Sequence, residues 1–244
     1  MLFILIGIKE DDDLNPLIKL EEAEKLGKLP SSIINKIKKR MKYLDESIAK
    51  IESASGLKYP SYYIDPVLLL SSSEVEKGQI GVLYARTIPI EGISGLEILI
   101  QISVPLIAFG LKTTIRAVLA HEFLHYIALV RSFSKLDIVS DSLSTSLFES
   151  LYSDYEKIFE PKLIFNDKSL VSLVKKKFSN GLEDKRLNEK TLKEWIEKGL
   201  PTINISPSDN VIRLPISSIL RMKIDPILKL KLKELERKLY ERKK

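Results

Sequence analysis

Residues 113–133 of this chain read TTIRAVLAHEFLHYIALVRSF. It contains neither glycine nor proline and is apolar on nearly every face, with Arg116 and Arg131 near its two ends. A helix on the surface of a domain keeps one polar face, whereas a helix that is apolar all round is buried. The stretch therefore predicts a helix at the centre of a core, with the rest of the domain packed around it.

Both histidines of the 244-residue chain lie in the middle of this helix, in the segment HEFLH at positions 121–125. Residues four apart on a helix share a face, so His121 and His125 can direct two ring nitrogens at one metal ion. Glu122 projects about 100° further round the helix. From there its carboxylate can take a proton from a metal-activated water and pass it to a leaving amine. The spacing is that of a hydrolytic zinc site.

The alternative is that two histidines share a helix by chance, a general risk with short motifs. Two imidazoles and a carboxylate in an apolar helix carry a desolvation cost unless they are paired or bind a metal. The chain has no cysteine, which excludes a disulfide framework and a cysteine-type zinc knuckle. We therefore expect a site built from histidine and carboxylate ligands, with one Zn²⁺ per chain.

The residues before the central helix predict helices followed by strands. A helical stretch covers 16–29, and a longer amphipathic helix begins at Ser31 and stops at Gly56. Between residues 60 and 110, the runs YYIDPVLLLS, QIGVLYARTIPI and LEILIQISVPLIAF predict three strands. The apolar amino terminus, MLFILIGIKEDDD, is too short for a signal peptide and predicts a buried strand. We expect a cytoplasmic protein without a membrane span.

The charge of the chain changes after the central helix. A serine-rich helix is predicted over 140–159, followed by short helices and turns and by a basic amphipathic helix at the carboxy terminus. Residues 1–167 carry 19 Lys and Arg against 23 Asp and Glu, a net charge of −4, whereas 168–244 carry 20 against 10, a net charge of +10. We therefore divide the chain into a domain at 1–165 and a basic, mainly helical region at 166–244.

The segment HEFLH, preceded by predicted strands, resembles the zincin metallopeptidases over about residues 60–160. The resemblance implies an α+β fold in which a small mixed sheet packs on the HExxH helix and on a later ligand helix, and an edge strand binds the substrate in an extended form. The metzincin branch, HExxHxxGxxH, needs a third histidine, but positions 128 and 131 here are alanine and arginine. With no histidine left, the third ligand must be a carboxylate, which makes the gluzincin branch the nearest match.

The candidates for the third ligand follow the HEFLH segment and are Asp137, Asp141, Glu149, Asp154, Glu156 and Glu160. In the predicted serine-rich helix, Glu149 lies on a face of small, barely charged side chains, which allows another helix to approach closely. We place Glu149 as the third zinc ligand, against the simpler reading of an exposed glutamate. The alternatives are Asp154, Asp141 and Glu156. Gluzincins often carry an acid four residues after the ligand glutamate, and here that position is Ser153, so the register stays open.

A peptidase also needs a donor for the oxyanion of its tetrahedral intermediate. With both histidines used as ligands, a tyrosine or an arginine must supply it. Tyr126, Tyr152 and Tyr155 lie near the motif or in the predicted ligand helix, although each also suits core packing. The choice among them stays open.

These residues predict a zinc-dependent metallopeptidase that hydrolyses peptide bonds in a peptide or protein substrate, with Glu122 as the general base. The alternative is a nucleic-acid-binding or regulatory protein with a structural or inactive zincin-like core, which binds nucleic acid through its basic carboxy-terminal region. There, NEKTLKEWIEKGLPT and NVIRLPISSIL resemble the tryptophan-containing helix and basic wing of excisionase-type helix-turn-helix modules. A third possibility is a latent protease whose cleft is covered by the helix at 31–55 or by the basic tail.

Overall fold

A computed structural model describes residues 15–71, 81–92, 95–134, 158–179, 181–205, 218–219 and 221–241. Within them, the helices are α1 (Ile18–Lys25), α2 (Ser31–Ser55), α3 (Val104–Phe109), α4 (Lys112–Ser134), α5 (Pro161–Ile164), α6 (Lys168–Lys177), α7 (Lys185–Thr191) and α8 (Pro226–Glu241). The strands are β1 (Tyr62–Asp65), β2 (Leu68–Ser71), β3 (Gly81–Leu83), β4 (Ala85–Gly92), β5 (Gly95–Ser103) and β6 (Thr202–Ile205). The prediction of an α+β protein is confirmed, and the described residues form two small mixed sheets where the sequence predicted one.

The described residues form two three-stranded sheets, and both are mixed. In the first, the order is β1–β5–β4, with β1 parallel to β5 and β4 antiparallel to it. In the second, the order is β3–β2–β6, with β2 antiparallel to β3 and parallel to β6. Parallel neighbours need a long crossover connection. Each sheet therefore joins segments that are distant in the sequence.

The three predicted strand runs form five strands and one helix. The first run divides into β1 and β2, and in the turn between them the backbone N–H of Val67 donates to Asp65 Oδ1 at 2.9 Å. The strand predicted over 104–109 is wrong, because VPLIAF forms α3. Proline cannot donate to a strand ladder but is tolerated in the first turn of a helix, where Pro105 lies.

Helix α4 lies at the centre of the core, as its composition predicts. Ile115, Leu119, Phe123 and Ile127 are completely buried at successive turns, and the other faces of the helix also bury side chains. Helix α2 packs along α4, and strands β4 and β5 contact it as well. Each fully buried side chain of this size contributes about 1.5–3 kcal/mol to stability. The packing of the neighbouring elements therefore depends on α4.

The long helix before the sheets is confirmed as amphipathic. The core-facing stripe of α2 includes Ile34, Ile37, Leu44 and Ile51, all buried. The helix ends where the sequence predicts, at Gly56, whose φ of 70° lies in the left-handed region that favours glycine. The Gly56 N–H donates to the carbonyl oxygen of Glu52 at 2.8 Å and closes the last turn.

The basic helix α8 docks on the protein's own core. Leu228, Leu232 and Leu235 are buried along one stripe. Glu236 of α8 lies with Oε1 3.5 Å from Nε of Arg131 at the end of α4. The carboxy-terminal helix is thus packed on the common core and joined to the end of the central helix by a charged contact.

The tryptophan-containing segment also packs into the same structure. Trp195 is completely buried in a π-helical turn, Leu192–Ile196, and its Nε1 donates to the carbonyl oxygen of Pro201 at 3.0 Å. The strand that follows, β6, pairs with β2. Described residues on both sides of the division at residue 165 therefore share one sheet, and the division itself stays a prediction.

The predicted amino-terminal strand and most of the helix predicted over 140–159 lie outside the described residues. Within the described ranges, no helix combines the length and the apolar character needed to cross a membrane.

Asp184 ties three elements together. Its carboxylate accepts hydrogen bonds from Thr114 Oγ1 of α4, from Lys177 Nζ at the end of α6 at 2.8 Å, and from the backbone N–H of Leu187 in α7 at 3.0 Å. Burial alone raises the pKa of this carboxyl, but the three hydrogen bonds outweigh burial and hold the pKa below its usual value. The fold therefore favours the charged form of Asp184.

We expect Asp184→Asn to lower the free energy of unfolding at pH 7 by about 2–3 kcal/mol, because hydrogen bonds to a charged group contribute about 1.5–3 kcal/mol. The pKa of Asp184 is lower in the folded protein than in the unfolded chain, where an aspartate has a pKa of about 3.9. The charge therefore stabilises the fold fully above that pH, and this stabilisation is lost as the pH falls through the folded pKa. Urea unfolding should show the difference between the two proteins shrinking below about pH 4.

Asp225→Asn is the matched control. Asp225 is exposed and caps α8 by accepting from the N–H groups of Ile227 at 2.8 Å and Leu228 at 3.0 Å. Asparagine caps a helix about as well as aspartate, so this variant should lose less than about 0.5 kcal/mol. Equal losses in the two variants would show that Asp184 does no more than cap α7.

Candidate metal centre

His121 and His125 lie one turn apart on α4, and the Nε2 atoms of their rings face each other. Their Nε2 atoms are 3.0 Å apart, the ring centroids are 4.7 Å apart and the ring planes cross at 80°. His125 is buried and His121 is half-buried. The structure thus brings together the two ligands predicted from the HEFLH segment.

The pair fits a zinc ion in both chemistry and spacing. Imidazole nitrogen is a common zinc ligand, and two nitrogens bound to one tetrahedral zinc ion lie about 3.3 Å apart. The separation of 3.0 Å between the two Nε2 atoms is close to that value. Two of the donors that a zinc site needs are therefore in place on one helix.

Both imidazoles are held in the neutral form. Desolvation lowers the pKa of His125 to about 4, and desolvation together with the neighbouring His125 holds the pKa of His121 well below its ordinary value. A metal ligand must be deprotonated, because the ion binds through the lone pair of the ring nitrogen. The surroundings of the two rings therefore favour the form that binds a metal.

Phe178, immediately after α6, covers one face of His121. The two ring centroids are 3.9 Å apart and the planes differ by 2°, so the rings lie flat on each other. The edge of His121 remains directed at His125. The residue at the end of α6 thus packs an aromatic ring against the histidine pair.

Glu122 is buried against β4. Its Oε2 accepts a hydrogen bond from Thr87 Oγ1 at 2.9 Å, and the same hydroxyl lies 3.0 Å from the backbone oxygen of Glu122. Desolvation raises the pKa of Glu122 to about 7, although the contacts with Thr87 act in the opposite direction. A carboxyl with a pKa near neutrality can both accept and release a proton at physiological pH. Thr87 therefore holds the carboxylate of Glu122, the predicted general base, on the side of α4 that faces β4.

The third ligand is not among the residues brought together. Within the described ranges, no group of three or more His, Asp or Glu side chains could hold a metal ion. The candidates that lie outside those ranges are Asp137, Asp141, Glu149, Asp154 and Glu156. Glu160, the remaining candidate, forms an exposed ion pair with Lys162 at 2.7 Å. The assignment of Glu149, with its alternatives, stays a prediction.

The donor for the oxyanion also stays open. Tyr126 is a half-buried part of the core, and its ring stacks on Phe123 with centroids 6.0 Å apart. Burial, with the charge of Asp225, raises the pKa of Tyr126 to about 12, so its hydroxyl stays protonated. The other two candidates, Tyr152 and Tyr155, lie outside the described residues.

Reasoning from the sequence missed Thr87 and Phe178. Thr87 is one polar residue in a β-branched run, and Phe178 follows a basic helix far along the chain. Their contacts with Glu122 and His121 arise from the packing of β4 and α6 on α4. No local pattern in the sequence marks either residue.

Comparison with known proteins adds no relative: no family model, no curated protein and no solved structure matches this chain. The resemblance to zincins therefore depends on the HEFLH segment and its setting alone.

We expect the purified chain, supplied with Zn²⁺ and dialysed, to retain one zinc ion per molecule by elemental analysis. His121→Ala and His125→Ala should each abolish retention, because a site with three protein ligands loses most of its affinity with any one of them. Glu149→Ala should do the same if Glu149 is the third ligand, and Asp154→Ala tests the first alternative.

Glu160→Ala is the control for these carboxylate variants, since Glu160 is exposed and paired with Lys162. It should retain zinc in full. Retention of zinc by the His121 variant would show that the ion binds elsewhere.

Proposed function

We propose that this chain is a zinc-dependent metallopeptidase of the HExxH type. The observation that supports this most directly is the 3.0 Å approach of the His121 and His125 Nε2 atoms on a buried helix, with Glu122 between them in the sequence. Buried polar groups are unfavourable unless they are satisfied, and zinc binding would satisfy both rings at once. The function accounts for three polar side chains that the core does not otherwise need.

A zinc ion held by the two histidines would polarise the carbonyl of the substrate and activate a water molecule. Glu122 would accept a proton as the water oxygen bonds to the carbonyl carbon, and would deliver that proton to the amine nitrogen as the C–N bond breaks. Thr87 restrains this carboxylate through the hydrogen bond at 2.9 Å. The Glu122 side chain thus needs little reorientation between accepting and releasing the proton.

Strand β4 offers a place for an extended peptide. Within the described residues it pairs with β5 on one side, and the Ser103 N–H donates to the Tyr84 carbonyl oxygen at 2.9 Å just before β4 begins. Backbone groups alternate in an antiparallel pair, so the N–H and carbonyl groups of Thr87 and the carbonyl group of Pro89 face away from β5. A peptide added along this edge would pass close to Glu122, which Thr87 contacts. This supports a peptide or protein substrate over a smaller ester or amide.

We expect Glu122→Gln to retain zinc but to lose hydrolysis of reduced, unfolded casein by a factor of about 10²–10⁴, the usual contribution of a general base. Peptide release and zinc content should be measured on the same preparation. Glu160→Gln, an exposed glutamate outside the site, should keep the activity of the parent protein. Unchanged hydrolysis in Glu122→Gln would refute the role of the general base.

A second candidate function is supported by a basic groove between α5 and α6. The groove encloses about 660 Å³. Its charged lining consists of Lys162, Lys168, Lys175 and Lys176. Its apolar floor includes Phe165, which is too deeply buried to stack on a base. The chemistry suits a phosphate backbone and favours binding without sequence preference.

We expect the triple variant Lys168→Glu, Lys175→Glu, Lys176→Glu to weaken binding of a short DNA duplex by more than about tenfold and to reduce the salt dependence of the binding constant, because fewer counterions are released. The matched control changes Lys223, Lys229 and Lys233 to glutamate, since all three are exposed near or on α8. Fluorescence anisotropy over a range of salt concentrations measures both. Equal losses would indicate net charge alone and no binding at the groove.

A further inference from the structure

Phe178 and His121 form the closest stacked pair of rings among the described residues, with centroids 3.9 Å apart and planes 2° from parallel. Phe178 is also largely buried, at 8% exposure. A flat contact of this kind restricts the tilt of the imidazole but does not cover its edge. That edge carries Nε2 and meets Nε2 of His125. Phe178 thus acts on the orientation of His121 without occupying its ligand atom.

Hydrogen bonds of its own backbone N–H and of the preceding residue, Lys177, hold Phe178 in place. Its N–H donates to the carbonyl oxygen of Val174 at 3.0 Å at the end of α6. The carbonyl oxygen of Lys177 accepts from the Glu183 N–H at 2.9 Å, and Lys177 Nζ donates to Asp184 Oδ2 at 2.8 Å. The chain that leads into Phe178 is therefore tied both to α6 and to residues 183–184.

Asp184 connects this turn to the helix that carries the histidines. The Thr114 hydroxyl of α4 donates to Asp184 Oδ2, the same oxygen that accepts from Lys177. Thr114 precedes His121 by seven residues, which is about two helical turns. We name Thr114, Lys177 and Asp184 the clasp. The clasp links α4, which carries His121, to the residue that precedes Phe178.

A histidine on a helix has two rotatable torsions, and the second of them is broad. Metal sites restrain their ligand rings with neighbouring groups, and loss of such a neighbour typically weakens metal binding by about 10–100-fold when it is a hydrogen-bond partner. An aromatic stack is a weaker restraint than a hydrogen bond. Removing it should therefore weaken binding by about three- to tenfold.

We propose that Phe178 is a positioning residue of the metal centre, which keeps the His121 ring in the plane that directs Nε2 at His125, and that the clasp holds Phe178 in that position. The inference rests on the proposed function in one respect, since it assumes that the histidine pair binds zinc.

The test compares Phe178→Leu, which keeps an apolar side chain but removes the aromatic face, with Phe178→Tyr, which keeps the face. The control is Phe165→Leu, because Phe165 is buried and stacks on Phe123, with centroids 6.1 Å apart, and not on a histidine. Zinc affinity is measured by competition with a chelator on the folded proteins. We expect Phe178→Leu to bind zinc about three- to tenfold more weakly, and the other two variants to stay within about twofold of the parent.

A second measurement does not involve the metal. The chain has only two histidines, so their ring carbon-bound protons give two readily assigned sets of NMR signals in the metal-free protein. The ring current of Phe178 should move the His121 signals upfield in the parent protein and in Phe178→Tyr. The displacement should disappear in Phe178→Leu and persist in Phe165→Leu.

The outcomes separate the inference from the proposed function. A lost upfield shift together with weaker zinc binding supports both. Unchanged zinc affinity in Phe178→Leu, or no upfield shift in the parent protein, overturns the positioning role while leaving the metal site standing. If the parent protein shows the upfield shift but binds no zinc, the proposed function fails, and Phe178 is reduced to a packing contact of His121.

Discussion

Two imidazoles and one carboxylate lie on an otherwise apolar helix, and their desolvation restricts how the neighbouring elements can pack around it. Each polar group in a core needs a partner, because an unsatisfied one costs about 1–3 kcal/mol. The two histidines meet each other, and Glu122 accepts a hydrogen bond from Thr87. Phe178 adds a flat apolar cover to His121. Thr87 belongs to β4 and Phe178 follows α6, so the packing of both elements on α4 brings partners to its polar side chains.

The helical part of the fold could be predicted from the sequence because helical periodicity is a local property. The stripes of α2 and α8 and the wholly apolar α4 all appear in the structure as expected. Strands were predictable as β-branched runs, but their partners were not, since the pairing of Leu68 with Thr202 joins residues far apart in the chain. The segment that forms α3 was misjudged because a short apolar run does not distinguish a strand from a buried helix.

In the candidate site, too, the residues close together in the sequence could be predicted, and those brought in from distant segments could not. The spacing of His121, Glu122 and His125 on one helix is local, and it was sufficient to bring the two ring nitrogens together. Thr87 and Phe178 reach those residues only through sheet register and helix packing, which leave no repeating pattern in the sequence. The candidates for the third ligand other than Glu160 lie outside the described residues, and spacing in the sequence alone leaves several of these carboxylates equivalent.

Phe178 and β6 lie late in the chain, so they are synthesised well after the helix that they contact or help to enclose in the fold. Helices α2 and α3 and the first sheet all precede the HEFLH segment in the chain, whereas α6, Phe178 and β6 follow it. At about 5–20 residues per second, β6 follows roughly 4–16 seconds later. Parallel pairing between such distant strands also tends to be slow. Phe178 and β6 can therefore reach α4 only after the HEFLH segment and the elements before it have been synthesised.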